Sequence, residues 1–470
     1  MNAPEREFSP SRNLFTLCLA SFTVVTGFGV IMPFFPLYAS EVLSEIKIGP
    51  IGLGIALQIG IMTSAFMFTR FLLAPSFGDL SDSTGRKPLI LVGMSLYAFL
   101  MVGFGLAFDF ITLLLLRAAQ GVASAAVWPV GEALIVDTSH KEKVGKNLGY
   151  YMMSMQAGMA SGPFLGFAFY FFFKNLLDIS TMLSYKLTFI TVGVLGILAT
   201  VIVARMVQDP SIEGSKLSMK QLYLVSAIAM TKKAKGSPNF LLNSLRKNGE
   251  DSFYRNRSLY TIYIAAIING FGFAMIFPII TLFAYDYYHL DPGDIALLIG
   301  IVGIPALIGG PLGGHISDRI GRKITICFSG FLVGIVFLCL GIKMAIPLLM
   351  MLFLLNRFFF GVIQPSFRAL QSDLVPVEVR GKEFGILQAF FNLGSTLGPI
   401  VGGLLYDIFF MKNFEFKGLT YFGAGVAFAT AGLLALLGSL VLFVLVDYEK
   451  HRLIGPMKPP SDPFLAAPSK

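Results

Sequence analysis

The sequence predicts an all-α integral membrane protein with twelve transmembrane helices in two pseudo-symmetric six-helix halves. Composition is the first reason. Of 470 residues, 55% are hydrophobic and 13% charged, about half the charged share of ordinary soluble domains. A soluble core cannot hide that much apolar surface, whereas a bilayer about 30 Å thick absorbs repeated runs of about 20 apolar residues. Periodicity is the second: the runs are apolar at consecutive positions over several turns, which fits helices and not the alternating strands of a barrel. The third is an internal repeat, which divides the runs into two equivalent sets of six.

Taken in order, the first six spans fall at about residues 14–39, 50–77, 88–107, 110–136, 147–173 and 185–207. The second six fall at about 258–285, 293–314, 324–345, 347–374, 384–411 and 419–446. The run after Glu5, Arg6, Glu7 and Arg12 lacks a small-residue cleavage site and exceeds a signal-peptide core, so it counts as span 1. The chain then divides into an N-terminal half (1–207), a linker (208–257), a C-terminal half (258–446) and a tail (447–470).

Basic residues set the orientation, because Lys and Arg gather in cytoplasmic loops. Arg86 and Lys87 follow span 2, Lys141, Lys143 and Lys146 follow span 4, Arg319, Arg322 and Lys323 follow span 8, and Arg380 and Lys382 follow span 10. Both termini and the linker are therefore expected in the cytoplasm of a multi-pass cell-membrane protein. The segment Lys216 to Met230 mixes Lys with Leu, Val and Ile, so an interfacial helix on the anionic leaflet is one alternative for it. The net charge of +9 then expresses topology, and no nucleic-acid partner is implied. Cys18, Cys327 and Cys339 show no ligand spacing, and His140, His289, His315 and His451 are scattered, so neither a disulfide framework nor a metal site is expected. No phosphate loop or hydrolase motif occurs, which argues against an enzyme.

At an offset of 236 residues, Gly78, Asp82, Gly85, Arg86 and Lys87 pair with Gly314, Asp318, Gly321, Arg322 and Lys323, and Asp137 pairs with Asp373. Gly158, Gly162, Pro163 and Gly166 pair likewise with Gly394, Gly398, Pro399 and Gly402. Parallel six-helix repeats are an architecture of secondary transporters whose substrate site lies between the halves. Gly85 permits a tight turn, and Arg86 needs an anionic partner, for which Asp137 at the end of span 4 is nearest by topology. Gly158, Gly162 and Gly166 allow close helix approach, and Pro163 gives a bend.

These motifs resemble those of the major facilitator superfamily, and within it the twelve-span drug/proton antiporters, over nearly the whole chain. The G-x-x-x-D-x-x-G-R-K loop is present twice, although Ser83 stands where the family usually has a basic residue. The resemblance implies that Arg86 and Asp137 form a latch that breaks during switching. It also implies that Arg117, in the R-x-x-Q-G element that Arg357 and Gly361 echo, takes part in proton transfer. The glycine motif of span 5 matches the antiporter motif except at Phe167, and the second half carries it too, which weakens its power to mark export.

Many such antiporters carry a carboxylate in spans 1 and 7; this chain does not, and the acid well inside a predicted span is Glu132. It follows Trp128 by one helical turn, and the 236-residue offset places Arg368 opposite it. A pair across the cavity is one alternative for Glu132; Arg70 is a rival partner. The leading expectation is a proton-coupled efflux antiporter of amphipathic or cationic small molecules, working in lipid as a functional monomer with protons as the coupling ion and no other cofactor. Uptake of a sugar or organic acid is the rival function, with a transport-dead receptor or scaffold behind it.

Overall fold

The computed structural model describes residues 10–43, 46–48, 51–139, 143–207, 251–375 and 380–446. The N-terminal half comprises α1 (Pro10–Val42), α2 (Ile55–Thr84), α3 (Arg86–Leu106), α4 (Phe110–Thr138), α5 (Val144–Phe171) and α6 (Thr181–Met206). The C-terminal half comprises α7 (Asp251–Ile276), α8 (Ile279–Tyr288), α9 (Pro292–Ile320), α10 (Arg322–Leu340), α11 (Ile346–Leu374), α12 (Arg380–Phe409) and α13 (Gly425–Leu445). Counting α7 and α8 as one pass, eleven of these passes are long and apolar enough to cross a membrane. The twelfth is α5, 28 residues long, whose glycines and polar residues dilute its apolar character.

Large apolar side chains such as Phe15, Phe99, Leu115, Phe328 and Val444 lie on the outside, as lipid rather than water requires. Inside each half the pairing repeats: α1 packs on α5 as α7 packs on α12, and α2 packs on α4 as α9 packs on α11. Glycine makes the close approaches possible, since a Cβ on Gly162 would strike the backbone of Gly29, and one on Gly398 the carbonyl of Phe271. The halves meet where α2 crosses α12 and where α5 crosses α9.

Several details depart from the sequence-based expectation. Span 7 is not one helix: the chain turns at Phe277 and Pro278, because proline cannot donate into the helical ladder. Helix α7 begins at Asp251, inside the expected linker. Span 2 runs on to Thr84, so Gly78 and Asp82 belong to a helix rather than to a loop. Two hairpins cap the end away from the basic loops, β1 (Ile46–Ile48) with β2 (Ile51–Leu53) and β3 (Asn413–Phe416) with β4 (Leu419–Phe422); the last occupies what the sequence assigned to span 12. A π turn, Phe172–Leu176, follows α5. The interfacial segment Lys216 to Met230 lies outside the described residues, as does the tail after 446.

Helix ends are closed by side chains. Asp109 accepts from the backbone N–H of Thr112 at 2.6 Å, and its hydrogen bonds to Thr112 hold its carboxyl below the usual range. Asp291 does the same for α9 through Gly293 at 2.9 Å.

Candidate functional site: a central cavity between two latched halves

The loop motif builds two matching latches. Gly85 (φ 86°) and Gly321 (φ 107°) take left-handed backbone conformations at the α2–α3 and α9–α10 turns. Arg86 then reaches Asp137 at 2.6 Å, and Arg322 pairs with Asp373, approaches Asp318 at 3.6 Å and donates to the carbonyl of Ala369 at 2.6 Å. The side chain of Asp82 is not among the described ones. Lys87 and Lys323 do something the sequence did not suggest. Each donates to a backbone carbonyl just past the end of the sixth span of its half, Val207 at 2.6 Å and Val446 at 2.7 Å. A cation there complements the negative end of the helix.

Deeper in the N-terminal half, several polar groups lie within electrostatic range of one another; the Tyr97 hydroxyl, one of them, has no hydrogen-bond partner among the described residues. Glu132 is half-buried, and among the described residues it has no ion pair within 4.0 Å. It lies within electrostatic range of Arg368 and Arg70. Arg70 rests on the face of Trp128, 3.9 Å from the ring centre, and is also within range of Tyr97. Tyr97 in turn lies within range of Arg117. Arg117 has not moved toward the membrane surface: it is 4% exposed, stacks over Phe35 at 3.6 Å, and donates to Gln120 Oε1 at 3.1 Å. The sequence singled out Glu132, Trp128 and Arg117 but missed Tyr97, an aromatic in an apolar span whose only signal was its hydroxyl.

Arg368 belongs to the other half and is exposed there. It lines a cavity of about 180 Å³ with Asn269, Phe273, Phe360, Gln364 and Gln388. A second cavity, about 140 Å³, lies between the halves and is lined by Met32, Gln156, Met159, Phe277, Arg357 and others, sharing Phe273 and Phe360 with the first. Those two rings stack at 4.8 Å and form the partition. A row of rings, Trp128, Phe28, Phe277 and Phe273, carries the aromatic surface across from one half to the other, with centroids 5.7 to 6.5 Å apart. Pro163 of the span 5 motif borders the second cavity, while Gly158, Gly162 and Gly166 press α5 against α1.

The interface between halves is closed at the end away from the basic loops. There Asp407 of α12 accepts from the N–H groups of Ala56 (3.2 Å) and Leu57 (2.8 Å) at the start of α2. Lys174 bridges to Asp291 at 2.7 Å. Burial opposes its ammonium, yet the hydrogen bonds to Asp291 and Tyr170 leave its proton affinity raised. Gly60 and Gly403 let α2 and α12 touch backbone to backbone. Toward the basic end, Gly78, Gly149, Gly310 and Gly314 have nothing within 4 Å of where a Cβ would stand. Asp407 was not legible in the sequence, because it lies near the end of a span and its partner is the backbone of the other half.

Known proteins resemble the chain over most of its length. The chain is 27% identical over 446 residues to the multidrug resistance protein MdtG of Proteus mirabilis (strain HI4320), covering 91% of this chain and 96% of that protein. It is 22% identical over 410 residues to the quinolone resistance protein NorA of Staphylococcus aureus (strain Mu50 / ATCC 700699), covering 85% of this chain and 91% of the relative. Among solved structures, a bacterial homologue of the human lysosomal transporter Spinster, inward-facing and unoccupied, superposes with a TM-score of 0.69 at 16% identity, covering 97% of this chain and all of that one. The model of the Major Facilitator Superfamily matches residues 17–249 and 262–467, and with the doubled six-helix architecture this places the chain in that superfamily of membrane transporters.

Proposed function

We propose that the protein is a proton-coupled antiporter that exports amphipathic or cationic small molecules of several kinds by alternating access, with its basic loops in the cytoplasm and protons as the coupling ion. The observation that carries this reading is the set Arg117, Tyr97, Arg70 and Glu132, within electrostatic range of one another in the N-terminal half and joined through Trp128 and Phe28 to Phe277 of the central cavity. Ionisable groups at this depth are costly in a membrane and are kept for pathways and relays. The relatives with drug-resistance names point the same way. An intramembrane acid flanked by two arginines is poised to exchange a proton for the positive end of a substrate, since either neutralises the carboxylate. Trp128 and the phenylalanine row supply apolar and cation–π surface.

Glu132 alone does not set the direction of exchange. If Arg368 approached it only when the basic end closed, the acid would release its proton toward the outside, opposite to what an exporter needs. Arg70, on the same side of the cavity, supplies the second counter-charge, and bound substrate resets the balance. Proteoliposomes loaded with a lipophilic cationic dye provide the test. A pH gradient imposed with acid on the side that receives the dye should accelerate its exit, and reversing the gradient should reverse the flux. Dye movement indifferent to either gradient would reject the antiport reading.

A further inference from the structure

The central cavity contains a charge that the exchange mechanism does not use. Arg357 lies eleven residues into α11, about 16 Å from its far end at 1.5 Å per residue, which is the middle of the bilayer. It lines the cavity between the halves. Its guanidinium stands 5.7 Å from the ring centre of Phe273, which lines the same cavity. Among the described residues no carboxylate or hydroxyl compensates it. The other interior arginines have closer company: Arg70 lies on Trp128 at 3.9 Å within electrostatic range of Glu132, and Arg117 lies over Phe35 at 3.6 Å and donates to Gln120, although its Nε is left without a partner among the described residues. The exposed amide of Gln156 joins it from the N-terminal half, and the rest of the lining is mainly aromatic and aliphatic.

We infer that Arg357 is an anion subsite for the transported solute, which takes the carboxylate or comparable acidic group of an aromatic amphiphile while Phe273, Phe277 and Phe360 hold its rings. An unpaired guanidinium at the midplane has five donors and no acceptor of its own, so a planar oxyanion is the ligand that fits it best. Glu132, one helical turn after Trp128 at the other end of the aromatic row, suits the opposite charge, so a zwitterionic amphiphile long enough to span the row would meet both. This inference rests on the transport reading above, but it concerns binding and is tested without a gradient.

Three probes share one ring system: naphthylacetate, its methyl ester, and naphthylmethylammonium. Their affinities are measured by calorimetry for the purified full chain in nanodiscs of zwitterionic lipid. Naphthylacetate should bind the wild-type protein roughly tenfold or more tightly than its ester, the factor that one charge-assisted hydrogen bond supplies. Arg357→Gln should erase that preference by weakening the acid while leaving the ester within about twofold, and Arg357→Lys should retain part of it. Equal loss for all three probes in Arg357→Gln would mark a merely structural residue and overturn the inference, as would a wild-type protein that does not prefer the acid. Repeating the measurement with anionic lipid separates solute from headgroup: unchanged binding supports the inference, and competition by the lipid would overturn it. If the acid preference holds while gradients leave dye flux untouched, the subsite stands and the antiport reading falls.

Discussion

At the scale of single residues, the interior of the N-terminal half is organised around buried cations held by aromatic faces. Arg117 lies over Phe35 and reaches Gln120, so it is stabilised where it is and cannot extend to water. A lysine there would lose both the planar stacking and the fork of donors. Arg117→Lys should therefore slow pH-driven transport about tenfold or more, measured as initial dye flux in vesicles. Full activity of Arg117→Ala would show that the enclosure is structural only. Glu132, Trp128 and Arg117 were legible from the sequence because charge and tryptophan are rare in apolar spans. Tyr97 and the stacking of Arg70 on Trp128 were not, since they depend on how α2, α3 and α4 face one another.

Among the helices, two kinds of fastening are visible. The paired latches, Arg86 with Asp137 and Arg322 with Asp373, hold the basic ends of α3 and α10 to α4 and α11. Asp137→Asn should loosen the first latch and raise cysteine-labelling accessibility at the basic end. Labelling that is unchanged in both Asp137→Asn and Arg86→Ala would remove that role. The lysines beside them cap helix ends, so Lys87→Met should lower thermal stability by about 1 kcal/mol with little effect on which side is open. Glycines set the closure of the far end. A leucine at Gly60 would collide with the backbone of Pro399 and wedge α2 from α12, so Gly60→Leu should expose a cysteine introduced in place of Leu57, which is buried against α12, to an impermeant label. Label uptake equal to that with Gly60 intact would contradict the assigned contact. The motif spacing made the latches and the α1–α5 crossing readable. The capping lysines, the far-end hairpins and the broken span 7 depend on tertiary neighbours or on proline placement that hydropathy does not resolve.

For the whole molecule, the doubled architecture was legible in nearly full detail, because lipid forces apolar runs into helices and the 236-residue repeat forces two like halves. What the sequence could not supply is the relation between the halves: which end is closed, and that Asp407 and Lys174 help to close it. Glu132 and Arg368 belong to opposite halves and lie within electrostatic range of one another without an ion pair. In the proposed exchange, Glu132 gives up a proton when substrate arrives. The most direct measurement is the proton released when a saturating lipophilic cation is added to purified protein in lightly buffered solution, read with a pH-indicator dye. The wild-type protein should release protons in proportion to bound substrate, and Glu132→Gln should bind the same cation with little or no release. Undiminished release from Glu132→Gln would contradict the account.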